Sequence, residues 1–148
     1  MLGAMGPRIL GATLVGLPAT ALVLLGWLAP ASSALGAAMH RLGGWICHAE
    51  PARSFVGAPV CHRCVGIYTG LALGGLLALA VPRVPHERLG WWAIALGPLA
   101  LQVALGVALP VLDRWFLRVG SGLLSGALVA LAVAHAIAAL TRAREHPP

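Results

Sequence analysis

The residues best suited to chemistry are three cysteines, which are the only ones in the chain and lie in one short stretch. Cys61 and Cys64 have the two-residue spacing that lets two thiolates reach one tetrahedral zinc ion. Cys47 supplies a third sulfur, and His48, with His62 as a substitute, supplies an imidazole nitrogen. This donor set predicts a Cys3His metal site with zinc as the candidate ion.

The same cysteines also permit thiol–disulfide chemistry. Cys61 and Cys64 lie just before a long apolar segment, and the N-terminus of a helix there favours a reactive thiolate. Cys47 would then act as the resolving thiol. The arrangement looks like that of four-helix membrane oxidoreductases that pass disulfide electrons to quinone, although those commonly use two cysteine pairs. A third alternative is a structural cluster that fixes the loop and neither binds metal nor turns over.

Five polar side chains are candidates to support such a site. Arg53 and Arg63 lie among the cysteines in sequence, and their guanidinium groups match thiolate or the phosphate of an anionic lipid headgroup, or another anionic ligand. Tyr68 follows the cysteines closely. Asp113 and Arg118 lie far along the chain, before the last apolar segment, and Asp113 could orient an arginine of the first loop.

Composition places these residues in a membrane protein. Hydrophobic residues make up 59% of the 148-residue chain and charged residues only 9%. Most of the chain therefore lies in apolar runs of about twenty residues, the length that crosses a bilayer. We predict an all-α, polytopic membrane bundle of about four transmembrane helices in a single domain, residues 1–148. The predicted spans are about 9–28, 65–81, 93–109 and 123–140, with a cysteine-rich loop at 30–64.

Two local patterns add detail to the bundle. Ser32 or Ser33 is a candidate N-cap for a short interfacial helix in the first loop, with an irregular loop as the alternative. Gly66, Gly70 and Gly74 recur every four residues in the second span, which gives one helix face that another helix can approach closely.

Charge and topology indicate where the site lies. Four spans place the first and third loops, and so the cysteines and Asp113, on one face of the membrane. The net charge is +6, but the arginines are scattered singly between the two faces, so we do not expect nucleic acid as a partner. The expected partner is the lipid bilayer. If the arginines on the cysteine face are held by the site, the remaining arginines determine the orientation of the protein in the membrane. We therefore expect a bacterial plasma membrane protein with cytoplasmic termini.

Other catalytic signals are absent from the sequence. It has no glycine-rich phosphate loop and only four carboxylates, so hydrolysis by acid–base catalysis is poorly supported. The sequence therefore favours a binding protein, and the enzyme class it permits is a thiol-based membrane oxidoreductase.

The motif around the cysteines resembles that of a family of small, largely uncharacterised bacterial and archaeal integral membrane proteins with a domain of unknown function. The family pattern is Cys-His, then Arg-Ser-Phe, then Pro-Val-Cys-x-Arg-Cys-x-Gly-Ile-Tyr-x-Gly, which this chain matches over 47–70. The resemblance extends weakly to Leu112, Asp113, Arg118 and Gly122. It departs at residues 49–52, which read Ala-Glu-Pro-Ala instead of Gln-Arg-Pro-Glu. The resemblance implies a membrane architecture and no defined activity.

Overall fold

A computed structural model describes residues 5–28, 32–47, 53–55 and 60–145 of the chain. Within these ranges the backbone forms five α-helices and a short 3-10 turn at Pro110–Leu112. The helices are α1 (Met5–Leu28), α2 (Ala34–Ile46), α3 (His62–Ala80), α4 (Leu89–Ala108) and α5 (Trp115–Glu145). The predicted all-α membrane architecture is confirmed.

Three of these helices are long and apolar enough to cross a membrane. They are His62–Ala80, Leu89–Ala108 and Trp115–Arg144, and the stretch Ile9–Ala21 of α1 is a shorter apolar helix. Of the four predicted spans, those in α3, α4 and α5 thus meet this criterion over the described residues, and the first coincides with α1. The helices extend beyond the predicted spans because polar residues near their ends, such as Arg63 and Arg118, take part in helical turns.

Helices α3 and α5 form the centre of the bundle and run parallel, because α3 residues 66, 70 and 74 meet α5 residues 119, 123 and 127 in the same order. A Cβ on Gly66, Gly70 or Gly74 would collide with backbone carbonyls of α5. Gly122 and Gly126 of α5 have the same relation to carbonyls of α3. The two backbones therefore touch, and the predicted glycine face of α3 is confirmed as a packing face.

Helix α1 lies antiparallel across this pair. A Cβ on Gly11 would lie 2.6 Å from the carbonyl oxygen of Ala134 in α5, and one on Gly75 in α3 would lie 3.0 Å from that of Ala12. Ala12 and Ala19 of α1 are buried. Small residues thus join α1, α3 and α5 into one tightly packed unit, whereas α4 packs chiefly against α5.

The first loop contains the predicted short helix. Helix α2 begins directly after Ser33, whose hydroxyl oxygen accepts a hydrogen bond from the Gly36 amide at 3.0 Å, as an N-cap does. Trp45, near its end, is 90% exposed. The helix ends at Ile46, and Cys47 follows it immediately, so α2 delivers the first cysteine to the end of the bundle where α3 begins.

Candidate functional site

The three cysteines come together at the N-terminal end of α3. Their Sγ atoms all lie within 4.8 Å of one another. Cys47 follows α2, Cys61 is the N-cap of α3 and Cys64 lies in its first turn. The amide of Cys61 donates a hydrogen bond to Sγ of Cys47, with a donor–acceptor distance of 3.3 Å. All three sulfurs are thiols, with no disulfide between them.

An apolar cluster holds the cysteines in place. Cys47, Val60 and Val65 are buried, and Phe55 and Tyr68 pack against them together with Cys61 and Cys64. Ser54 and Cys61 form an isolated antiparallel β-bridge, which brings Ser54 onto the start of α3. The thiols are therefore enclosed by apolar side chains on one side, and Tyr68 is part of this wall.

The Cys61 thiol ionises easily in this setting. The hydrogen bond from the Cys64 thiol is the main cause that lowers the pKa of Cys61 to about 4, against an opposing effect of burial. Backbone and thiol hydrogen bonds from residues 63, 64 and 47 add to the lowering. One thiolate among the three sulfurs is thus favoured by its neighbours near neutral pH.

The two predicted histidine ligands differ in what the structure shows of them. His48 lies outside the described residues. His62 is not a member of the sulfur group; its ring packs edge-on against Phe55, with ring centroids 4.3 Å apart, and faces Trp115 at 6.4 Å. The Nδ1 atom of His62 is buried without a hydrogen bond. The geometry therefore gives a three-sulfur group, with His62 in an aromatic cluster beside it.

A second constellation at the same end of the bundle is a chain of four polar side chains. Arg63 donates from Nε and Nη2 to Oε1 of Gln102, at 3.1 and 2.7 Å. Gln102 donates from Nε2 to Oδ1 of Asp113 at 3.1 Å. Arg118 closes the chain, with Nε 2.5 Å from Oδ1 of Asp113 and an ion pair between Nη2 and Oδ2. We refer to Arg63, Gln102, Asp113 and Arg118 as the polar network.

The charges of the polar network determine the state of its carboxylate. The Arg118 guanidinium, through its hydrogen bonds and its charge, holds the pKa of Asp113 below its usual range. Gln102 and the charge of Arg53 act in the same direction. Asp113 is thus an anion that joins residues of α3, α4 and α5, and Arg53 of the first loop lies close enough to affect it. Arg63 connects the network to the turn of α3 that carries Cys61 and Cys64.

Gln102 is the member of the network that sequence reasoning missed. It is the only glutamine in the chain and sits in an otherwise apolar helix, where it is 7% exposed while its neighbour Leu101 is 60% exposed. A single amide in a predicted span is a signal of a polar partner in the bundle. The sequence therefore indicated that Gln102 has a polar contact, but it did not indicate which residue makes that contact.

With the geometry described, comparison with known proteins gives one match. The model of a family described as "Predicted membrane protein (DUF2085)" matches residues 47–132. The chain belongs to this family. The match confirms the resemblance drawn from the motif, and it begins at Cys47 and contains all three cysteines and the whole polar network. No curated protein and no solved structure matches the chain.

The family assignment establishes the class of protein and leaves its activity open. The chain is a membrane protein with three helices long and apolar enough to cross a bilayer. Within the part of the chain that the structure describes, the cysteine group is the arrangement that could hold a metal ion.

Proposed function

We propose that the protein binds a soft metal ion, with zinc as the first candidate, at the membrane surface through Cys47, Cys61 and Cys64. The observation that carries the proposal is that three sulfurs from two separate parts of the chain lie within 4.8 Å of one another as free thiols. Cysteines that merely fill apolar space need not share one centre, whereas ligands of one ion must.

The spacing of the sulfurs suits thiolate ligation. Three sulfurs bound to one zinc at the usual bond length lie about 3.8 Å from one another, as tetrahedral geometry requires. The present upper limit of 4.8 Å needs only small side-chain movements to reach that value. Thiolates prefer soft or borderline ions, so zinc and monovalent copper fit this donor set and magnesium or calcium does not.

The ligands would come from two separate parts of the chain. Cys47 lies at the end of α2, Cys61 before α3 and Cys64 within it, so a bound ion would tie the first loop to the bundle. His48 is the candidate for a fourth ligand because it adjoins Cys47 in sequence. Arg63 lies between Cys61 and Cys64 in sequence, and its guanidinium is held in the polar network by its hydrogen bonds to Gln102.

The test is elemental analysis of the detergent-purified protein together with a count of reactive thiols. We expect about one zinc per chain in the wild type, as one tetrahedral site requires, and loss of the metal in Cys47→Ser, Cys61→Ser and Cys64→Ser. His48→Gln and His62→Gln test the fourth ligand, and we expect the first to weaken zinc binding and the second to leave it unchanged. Metal-free protein with three reactive thiols, even after zinc is added back, would rule out the proposal.

A second candidate function is thiol–disulfide exchange, favoured by the same sulfur distances and by the position of Cys61 at a helix N-terminus. In this step the Cys61 thiolate and the Cys64 thiol form one S–S bond and release two electrons and one proton. A membrane quinone would take both electrons, that proton and one from solvent to become a quinol. Purified protein with a reducible Cys61–Cys64 disulfide and quinone-dependent thiol loss would support this function over metal binding.

A further inference from the structure

A large cavity lies at the end of the bundle opposite the cysteines. It has a volume of about 890 Å³ and is bounded by the loop between α3 and α4 and by the C-terminal part of α5. Three arginines line it, Arg83 and Arg88 from the loop and Arg142 from α5. His86 and His135 line it as well, and Glu87 supplies the one carboxylate among the described lining residues. The charged groups among these described residues therefore have an excess of two positive charges.

Hydrogen bonds and packing fix the loop that forms one wall of this cavity. The His86 amide donates to the carbonyl of Val84 at 2.9 Å, and the Arg88 amide donates to that of Pro85 at 3.0 Å. The indole nitrogen of Trp92 donates to the carbonyl of His86 at 2.9 Å. Val84 packs with Val81 and Trp91 against a buried cluster of α3 and α5. The loop is thus anchored to the core through Val84, while its arginines line the cavity.

Helix α5 forms the other wall. His135 and Arg142 are seven residues apart, which places them on one face of the helix two turns apart. His135 is 5% exposed, so it lies at the deep end of the wall. The Nε atom of Arg142 donates to the carbonyl of Ala138 at 3.0 Å, which directs this guanidinium along the helix. The basic groups therefore range from the rim of the cavity to its base.

The position of the cavity indicates which anion would fill it. Trp91 and Trp92 lie in the first turn of α4 beside it, and tryptophans mark the level of lipid headgroups in a membrane. Basic pockets between transmembrane helices at this level take up anionic headgroups, and a guanidinium matches two phosphate oxygens at once.

We propose that this cavity is a binding site for a phosphate ester, and specifically for the phosphate of an anionic phospholipid headgroup. Arg83, Arg88 and Arg142 would bind the phosphate oxygens, and His86 and His135 would contact the same headgroup. A phosphate ester could reach the cavity from the membrane or from solution, and the experiment distinguishes these sources.

The experiment measures equilibrium binding of short-chain phosphatidylglycerol to the full-length protein in a non-ionic detergent. Short-chain phosphatidylcholine serves as the zwitterionic comparison, and inorganic phosphate as the competitor. The test variants are Arg83→Gln, Arg142→Gln and their combination. Arg144→Gln is the matched control, because Arg144 carries the same charge at the same end of α5 but does not line the cavity.

We expect saturable binding of phosphatidylglycerol that weakens about tenfold in the double variant and changes less than twofold in Arg144→Gln, since two charge-assisted contacts are lost in the first and none in the second. Phosphatidylcholine should bind more weakly than phosphatidylglycerol. The single variants should each show part of the loss, which keeps the test valid if the double variant misfolds.

Three results would overturn the proposal. Absence of saturable phosphatidylglycerol binding would remove the site, and an equal loss in Arg144→Gln would reduce it to general charge attraction. Competition by millimolar inorganic phosphate would assign the cavity to a soluble phosphate compound and reject the lipid source. Retention of phosphatidylglycerol against that competitor would support the lipid source.

Discussion

Helix α5 is held by two of its neighbours, α3 and α4, in two different ways. Against α3 it uses bare backbone, with Gly122 and Gly126 opposite the glycines of α3. Against α4 it uses side chains, through the hydrogen bonds that link Gln102 to Asp113 and Asp113 to Arg118. Both contacts lie within one helical bundle, yet one depends on shape and the other on charge.

The difference follows from the solvent. Lipid removes the hydrophobic driving force between apolar helices, so helices associate through close van der Waals contact or through polar groups that lipid cannot satisfy. The contact of α5 with α3 depends on close van der Waals packing along several turns. The contact with α4 depends on polar groups at one end of the bundle, near the cysteines, where the ionised Asp113 needs polar partners.

The largest effect is expected from breaking the charge pair. Asp113→Asn leaves the guanidinium of Arg118, which is largely buried, without its counter-charge. We expect the free energy of unfolding, measured by titration with a denaturing detergent in mixed micelles, to fall by about 3 to 5 kcal/mol, as for other buried pairs that lose one partner.

The control for this prediction is Glu87→Gln, which removes an exposed carboxylate at the other end of the bundle. It should change the free energy of unfolding by less than about 0.5 kcal/mol. Asp113→Asn combined with Arg118→Leu should recover part of the loss, because no uncompensated charge then remains. A loss no larger in Asp113→Asn than in Glu87→Gln would show that the pair contributes little to stability.

The next largest effect is expected from the glycine contact. A Cβ at Gly126 would meet the carbonyl oxygen of Ile67, whereas a Cβ at Gly120, on the same helix, has open space around it. Gly126→Ala should therefore lower the free energy of unfolding by about 1 to 3 kcal/mol through overpacking. Gly120→Ala should leave it unchanged or raise it slightly. Equal effects of the two substitutions in the same assay would contradict the close approach of α3 and α5.

The sequence predicted one side of this contact and left its partner open. Gly66, Gly70 and Gly74 showed that α3 has a face for close approach, but spacing along one helix does not identify the helix that fills it. In this case α5 does, and it has two glycines of its own, Gly122 and Gly126, at the same spacing. Apolar length predicted the helices well because a bilayer demands about twenty apolar residues per crossing.

The candidate site could be predicted to a similar extent. The Cys-x-x-Cys spacing and the single preceding Cys47 indicated which sulfurs belong together, and the three do form one group. The contact of His62 with Phe55 could not be predicted. It depends on how the first loop folds back onto the first turn of α3, which the sequence does not determine. The role of Gln102 depends on the rotation of α4 about its axis. The sequence does not determine that rotation, because apolar residues occupy all sides of the helix.

A smaller effect is expected from Gln102 itself, which bridges Arg63 and Asp113. Gln102→Leu removes the bridge but leaves the Asp113–Arg118 pair intact. We expect a loss of about 1 kcal/mol in the same unfolding assay, in line with hydrogen bonds between transmembrane helices. Leu101→Ala, at the exposed neighbouring position of α4, is the control. A loss above that of Asp113→Asn would mean that Gln102, rather than the charge pair, is the main link between α4 and α5.

The smallest effect on the free energy of unfolding is expected from a change of pH within the range of ordinary buffers. The pKa of Asp113 is held below its usual range, so the carboxylate contributes stability that is fully present above the pKa of the unfolded chain, about 4. That contribution is lost as the pH falls from there through the pKa of the folded state. The difference in unfolding free energy between wild type and Asp113→Asn should thus stay constant from pH 8 to pH 5 and shrink below about pH 4.

The glycine contact gives the comparison for this pH series, because Gly126 carries no titratable side chain. The difference between wild type and Gly126→Ala should not change across the same pH range, since both proteins retain the Asp113–Arg118 pair. If the Asp113→Asn difference instead grew as the pH fell from 7 to 5, the pKa of Asp113 would be raised rather than lowered. In that case the carboxyl group would be protonated within the bundle, and its bond to Arg118 would no longer be an ion pair.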